Sequence, residues 1–504
     1  MSHNIDVSVS KRPSQGDTLV VFAAHDGKKD GPSLSKLSKE VTALVTNAGK
    51  KELFSGKKKE TLFFRGVEKD GFKNVLLVGL GSAGNVDGDA LKVAAASALA
   101  KLKAEKAEEA CVLGASLLSG QKDAAGALQA FIEGLYLSVY EYDALKSKPK
   151  EKSKEKKSLQ VVIGFDQAPN AAQKKALETA SILSECQNLA RRLGDTPGNY
   201  MTPTMLAEEA VKAAKGTKLK VTVWDKARIK KEGFGGLTSV SLGSAQDPRF
   251  IIMEYKGNPK SKEHIAFVGK GLTFDAGGIS IKPAAGMEEM KYDMCGGAAV
   301  IAAMTAIAKL DLKVNATGYV PSTENLCGAA AMKPGDVFTA RNGKTVEVFN
   351  TDAEGRLILS DALSYASEKK PKAMFDTATL TGAIMIALGN QYTGVFTRDK
   401  KLMATIQSAA DQAGERVWSM PLDDFHVEDM KGTHADLCNI SGNRLAGSST
   451  AAAFLEQFVG EGISWAHFDI AGTAWNVNNR FNYHPRKGAS GIIVRTFVEL
   501  AKKF

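Results

Sequence analysis

The chain has 504 residues, 44% hydrophobic and 24% charged, with a formal net charge of +10. That length exceeds one ordinary core and implies two or three domains, and the composition is that of a globular protein. No apolar run approaches the roughly 20 residues of a membrane span, and the start (Met1-Ser-His-Asn-Ile-Asp6) lacks a secretory signal's basic and apolar regions. Five scattered cysteines (Cys111, Cys186, Cys295, Cys327, Cys438) form no CxxC pair, which argues against a disulfide framework and for a reducing cytoplasm.

In chain order, Thr18–Ala23 and Val75–Gly79 read as buried strands, and Asp89–Lys106 reads as an amphipathic helix. Ala110–Leu113 and Gln160–Gly164 add strands, so residues 1–168 form an N-terminal α/β domain. The run Lys146–Lys157 carries seven lysines against two glutamates, without aromatics or arginine. It suits a solvated surface loop better than a polyanion contact. A connecting helix is expected over 169–195. A second α/β domain, 196–504, then follows, with a mixed central sheet flanked by helices. Its strands include Ile265–Val268, Ala316–Val320 and Ala373–Thr377, and its helices Ala298–Lys309 and Leu357–Ser367.

Gly79-Leu-Gly-Ser-Ala-Gly84 follows a strand and precedes a helix, as a dinucleotide fingerprint does. No acidic residue ends the next strand to hold a ribose, so a plain tight turn is the expectation. The loop after Ile265–Val268 gathers Lys270, Asp275, Lys282 and Asp293 among several glycines, at a strand's carboxyl end, where α/β sheets build sites. Asp352, Glu354 and Arg356 alternate at a strand-to-helix junction. An extended backbone there would turn all three toward one pocket. Carboxylates so gathered repel unless a cation lies between them, and oxygen-rich ligation suits Mg, Mn or Zn. The alternative is that Arg356 pairs with one carboxylate and staples the fold. HExxH and GxSxG are absent, which disfavours thermolysin-like and α/β-hydrolase chemistry, and His467 in an apolar strand reads as structural.

The segment NTDAEGRL, with GKGLTFDAGGISIKP and KYDMCGG upstream, resembles the leucyl (cytosol) aminopeptidase family of metallopeptidases. GDTPGNYMTP, STENLCG, KPGDV, DTATLTGA, STAAAFL and WAHFDIAGTAW extend the likeness from about Cys186 to the end. The resemblance implies two divalent ions per chain (Mn or Zn) held by Lys270, Asp275, Asp293, Asp352 and Glu354. Lys282 and Arg356 would be the catalytic pair, with bicarbonate at Arg356. Met290, Thr379, Ala471 and Ala474 would line the pocket for the leaving residue, and Leu380 and Gly382 would contact substrate through backbone atoms. The family also implies peptides with a free N-terminus as substrates, apolar residues such as leucine preferred, and a homohexamer. Some bacterial members bind DNA, so nucleic acid is the rival partner. The stretch His434–Arg444 and the segment Cys327-Gly-Ala-Ala-Ala331 depart from the family's usual pattern.

Overall fold

The protein is described by a computed structural model over residues 5–25, 37–147, 158–443, 445–477 and 481–504. Most of the lysine run lies outside the described residues. The chain divides into two compact units, Met1–Glu185 with Asn478–Arg486, and Cys186–Val477 with Lys487–Phe504. The division falls within one helix, Ala171–Asp195.

The first unit holds a six-stranded sheet in the order Ile5–Lys11, Leu159–Phe165, Glu109–Leu113, Gly16–His25, Phe72–Ser82, Thr61–Phe64. All neighbours are parallel except the last pair. Side-chain alternation separates two cores. Val20, Phe22, Leu76 and Val78 pack under the helices Gly88–Ala104 and Ala124–Ser138, whereas Leu19, Val21, Val75 and Leu77 pack under Lys39–Lys50. Asp87 caps the helix Gly88–Ala104 by accepting from Ala90 N.

The expected tight turn at Gly79–Gly84 is corrected. Gly79 and Gly81 lie inside the strand Phe72–Ser82, and the chain turns only at 83–87. A Cβ at Gly79 would collide with the carbonyl of Lys57 and the backbone of Gly56. The glycine serves close packing of backbone on backbone, not a phosphate.

The second unit carries a nine-stranded mixed sheet. Its main path runs Val417–Met420, Thr393–Phe396, Ser464–Asp469, Ala373–Ala378, Ile265–Gly269, Asn315–Asn325, Arg249–Lys256, Lys220–Trp224, with Gly271–Asp275 also paired to Asn315–Asn325. The central neighbours are parallel, so their carboxyl ends share one edge. Helices cover both faces: Ala266 and Val268 pack with Leu357, Ile358 and Leu363, while Phe267 stacks on Phe497 at 4.6 Å. The helix Cys295–Lys309 is buried almost throughout because its residues are small or aliphatic. At Gly296 a Cβ would strike the Thr377 carbonyl, so glycine lets this helix press against the strand ends that carry the site. His467 is structural as expected: its Nδ1 lies 2.6 Å from Asp376 Oδ1 in the buried sheet. None of the five cysteines forms a disulfide.

Candidate metal centre and active site

The long strand Asn315–Asn325 organises one half of the site. Its Ala316–Tyr319 stretch pairs with Ile265–Val268, and its end, Ser322–Asn325, pairs with Gly271–Asp275. Lys270 occupies the break between those two short strands, its N–H donating to Thr377 O and its carbonyl accepting from Gly297 N. Asp275 ends the second strand, and its Oδ1 accepts from Gly277 N and Asn325 Nδ2, both at 2.9 Å. Gly277 and Gly278, at φ +87° and +64°, reverse the chain so that Lys282 returns alongside, its N–H donating to Ala276 O. Asp293 lies on the short 3-10 helix Met287–Met294, where its Oδ1 accepts from Thr379 Oγ1 at 2.7 Å.

The other half is the segment Asn350–Leu357, and here the extended geometry is corrected. Residues 350–353 form a turn, with Ala353 N donating to Asn350 O and Asp352 N to Asn350 Oδ1. Glu354 is already helical (φ −83°, ψ −30°), and the helix proper is Gly355–Glu368. Residues two apart on a helix point in nearly opposite directions. Glu354 accordingly reaches Lys270, while Arg356 donates from Nη1 to Asn439 O at 2.8 Å. No carboxylate among the described residues forms an ion pair with Arg356, and its Nε has no hydrogen-bond partner. The stapling alternative therefore fails for want of a partner.

The charges interleave. Lys270 Nζ lies 2.7 Å from Asp293 Oδ2 and 2.9 Å from Glu354 Oε1, and Lys282 Nζ lies 2.8 Å from Asp275 Oδ2 and 2.5 Å from Asp352 Oδ1. Four carboxylates thus face two ammonium groups, an excess of two negative charges (4 − 2) in a mostly buried setting. Burial, then repulsion from Asp275, pushes Glu354 up to about 8. Burial likewise pushes Asp293 up to about 6 and raises Asp352. Burial works against the charge of Lys270, yet Asp293, Glu354 and Asp275 outweigh it and raise its pKa. For Arg356 burial wins and lowers the pKa to about 10, which leaves it charged at neutral pH. Oxygens of Asp275, Asp293 and Glu354 lie within 4.8 Å of one another, and buried Glu354 Oε2 has no partner. Such a donor set fits divalent cations, which would relieve the repulsion that protons otherwise relieve.

Thr379 is at the centre, giving its hydroxyl to Asp293 and its carbonyl to Lys270 Nζ at 3.2 Å. Met290 shares the 3-10 helix of Asp293. Leu380 and Ala471 both donate their N–H to Asp469 Oδ1 at 3.2 Å, and Gly382 starts the exposed end of the helix Gly382–Leu388. Ala474 is buried, and its carbonyl accepts from Ser490 N. Four residues escaped the sequence reading: Asn325, Thr351, Asn439 and Asp469. Asn325 Nδ2 also donates to Thr351 O, and Thr351 Oγ1 donates to Gly277 O at 2.6 Å, so the pair tie the two halves together. A polar residue ending an apolar strand was the available signal for Asn325 and Asp469; Asn439 had none.

Comparison with known proteins gives concordant findings. Residues 188–498 match the catalytic domain of the cytosol aminopeptidase family, and residues 20–149 match that family's N-terminal domain. A probable cytosol aminopeptidase of Bdellovibrio bacteriovorus is 56% identical over 488 residues, covering 96% of each chain. One of Burkholderia pseudomallei is 42% identical over 94% of this chain and 92% of its own. The bottromycin maturation enzyme BotP in complex with Mn is similar in structure, with a TM-score of 0.84 at 30% identity over 97% of this chain and 99% of that one.

Proposed function

The chain belongs to the cytosol aminopeptidase family and is a peptide-bond hydrolase, and on that premise we propose that it uses two divalent ions to release N-terminal residues from peptides. The observation that carries this reading is the convergence of Lys270, Asp275, Asp293, Asp352 and Glu354 from two loops onto one sheet edge. Lys270, Asp275, Asp293 and Glu354 hold the tighter ion, and Asp275, Asp352 and Glu354 the more exchangeable one. Manganese or zinc suits the donors, and similarity to an Mn-bound enzyme favours manganese. Bound divalent ions supply Lewis-acid polarisation of the scissile carbonyl and an activated water near neutral pH.

The chain's own residues do the rest. Lys282, partly exposed and held in its charged form by Asp275 and Asp352, donates to the developing oxyanion. Arg356, without a carboxylate partner, holds bicarbonate as the proton acceptor. The substrate's free α-amine anchors at the centre, which restricts cleavage to the first peptide bond. Met290, Thr379, Ala471 and Ala474 favour leucine-like side chains, with Leu380 and Gly382 holding the substrate backbone.

The residue ranges 1–168, 169–195 and 196–504 serve as N-terminal domain, connector and catalytic domain. The family likeness supports a cytoplasmic homohexamer. No helix among the described residues is long and apolar enough to cross a membrane. No finding favours the nucleic-acid partner. Metal analysis of the purified protein, with leucine amide hydrolysis after chelation and restoration, tests the reading. About two ions per chain and metal-dependent leucine release support it; full activity in the metal-free state overturns it.

A further inference from the structure

Asn439 lies in the stretch His434–Arg444, far in sequence from both loops of the centre, yet it is fully buried and hydrogen-bonded to the second of them. Its side chain spends its hydrogen-bonding capacity on one turn. Oδ1 accepts from Phe349 N at 2.8 Å and Asn350 N at 3.2 Å, while Nδ2 donates to Asn350 O at 2.6 Å and Ala353 O at 3.4 Å. That turn presents Asp352 and leads into Glu354. The main chain of Asn439 is committed to the same region. Its N–H donates to Glu347 O, and its carbonyl is, among the described residues, the one hydrogen-bond acceptor of the buried Arg356 guanidinium. The segment carrying it is docked in turn by Glu347, whose Oε2 accepts from Thr433 N and His434 N, both at 3.1 Å.

We propose that Asn439 is a positioning residue that sets the Asp352 carboxylate and the Arg356 guanidinium in one fixed relation. Only a side-chain amide can do this, because the turn offers both N–H donors and carbonyl acceptors to the same group. Asp352 itself is held by an N–H bond to Asn350 Oδ1 and the contact with Lys282, and its neighbour Thr351 is tied to Gly277, Ser280 and Asn325, so the Asn439 amide is the anchor on the Phe349, Asn350 and Ala353 side of the turn. Loss of the amide loosens the turn on that side, and with it the ligand expected to hold the more exchangeable ion. Groups behind metal ligands typically change affinity or activity by about 10–100-fold when removed. The same loss lets the Asn439 carbonyl drift from Arg356, so turnover falls while ground-state binding of a small substrate is kept.

The inference rests on the two-ion reading above, and its test separates the two. Mn2+ binding is titrated calorimetrically into the metal-free full-length protein, and kcat and KM are measured on leucine amide. The variants are Asn439→Ala and the milder Asn439→Ser, so that one insoluble variant still leaves a reading. Asn315→Ala is the matched control. Asn315 Nδ2 also pins a loop, donating to Asn258 O, Ser261 O and Glu263 O, but at the amino-terminal edge of the sheet. The expected result is about tenfold weaker Mn2+ binding at one site and a lower kcat with KM little changed for the Asn439 variants. Asn315→Ala should lose melting temperature alone. Unchanged Mn2+ binding in folded Asn439 variants, or equal weakening in Asn315→Ala, overturns the proposal. Failure of the wild-type protein itself to bind or respond to Mn2+ instead overturns the two-ion reading.

Discussion

Lys270 Nζ lies 2.9 Å from Glu354 Oε1, and both side chains are buried. The pair joins the break in the sheet to the start of the helix Gly355–Glu368. In the metal-free chain the ammonium is the local counter-charge for Glu354 and Asp293 together. Removing one member of a buried ion pair costs about 3–5 kcal/mol, because the other charge stays behind. Lys270→Met is therefore expected to lower the melting temperature of the chelated protein strongly. The loss should be smaller at acid pH, where the stranded carboxylates take protons. Thermal melts in chelator across pH check this; equal losses at both ends of the range would contradict it.

Metal binding should be coupled to protons. Burial and repulsion from Asp275 raise Glu354 from 4.5 to about 8, and burial raises Asp293 from 3.8 to about 6. A carboxyl group with a raised folded-state pKa contributes stability that is full below its unfolded value and lost as pH climbs through the folded one. The chelated protein should thus lose stability as pH rises from about 4.5 through 8. Mn2+ should restore it, with the largest gain in melting temperature at the alkaline end. Mn2+ titration in weak buffer near pH 7 should release protons, since Glu354 and Lys270 must both give theirs up to coordinate.

Arg356 and Lys282 should separate activity from stability. Among the described residues Arg356 is a buried cation with no carboxylate in ion-pair contact, and the favourable charges of Glu354 and Asp469 do not offset its burial, so Arg356→Ala is expected to change the melting temperature far less than Lys270→Met. The kcat of Arg356→Ala should fall by about 10²-fold or more, the scale of losing one charge-stabilising group. Lys282→Ala should fall comparably. Near-wild-type turnover in either removes that residue's assigned role.

Gly355 offers a steric probe of the same centre. A Cβ there would lie 2.6 Å from Lys270 Nζ and 2.7 Å from its Cε. Lys270 Cδ would lie at 2.8 Å as well, and its ammonium is held in buried ion pairs with Asp293 and Glu354, so Gly355→Ala should lower the melting temperature of the chelated protein. The displaced ammonium nitrogen should also weaken Mn2+ binding. Calorimetry beside a thermal melt reads both; intact binding would mean that Lys270 does not serve as a ligand.

Much of the architecture was legible because it depends on local pattern. The apolar runs Thr18–Ala23, Val75–Gly79 and Ile265–Val268 are strands, and the uninterrupted stretch before Gly194 is a helix, since side-chain periodicity and chain breakers act over a few residues. Local pattern also misled. Gly79 and Gly81 mimic a phosphate loop but exist to let the backbone of Gly56 and Lys57 approach. The alternation of Asp352, Glu354 and Arg356 mimics an extended strand, whereas the chain turns and enters a helix there.

The sequence alone determined which residue types are present for chemistry: carboxylates and lysines in two glycine-spaced loops, and the segment NTDAEGRL that marks the family. Only the tertiary structure decided how they meet. The broken pairing along Asn315–Asn325 inserts Lys270 between two strands, and the entry into helix sends Glu354 and Arg356 different ways. Asn439, 83 residues beyond Arg356, supplies the acceptor that orients it. Such a contact leaves no periodic trace in the chain, because its partners become neighbours only when the sheet and helices pack.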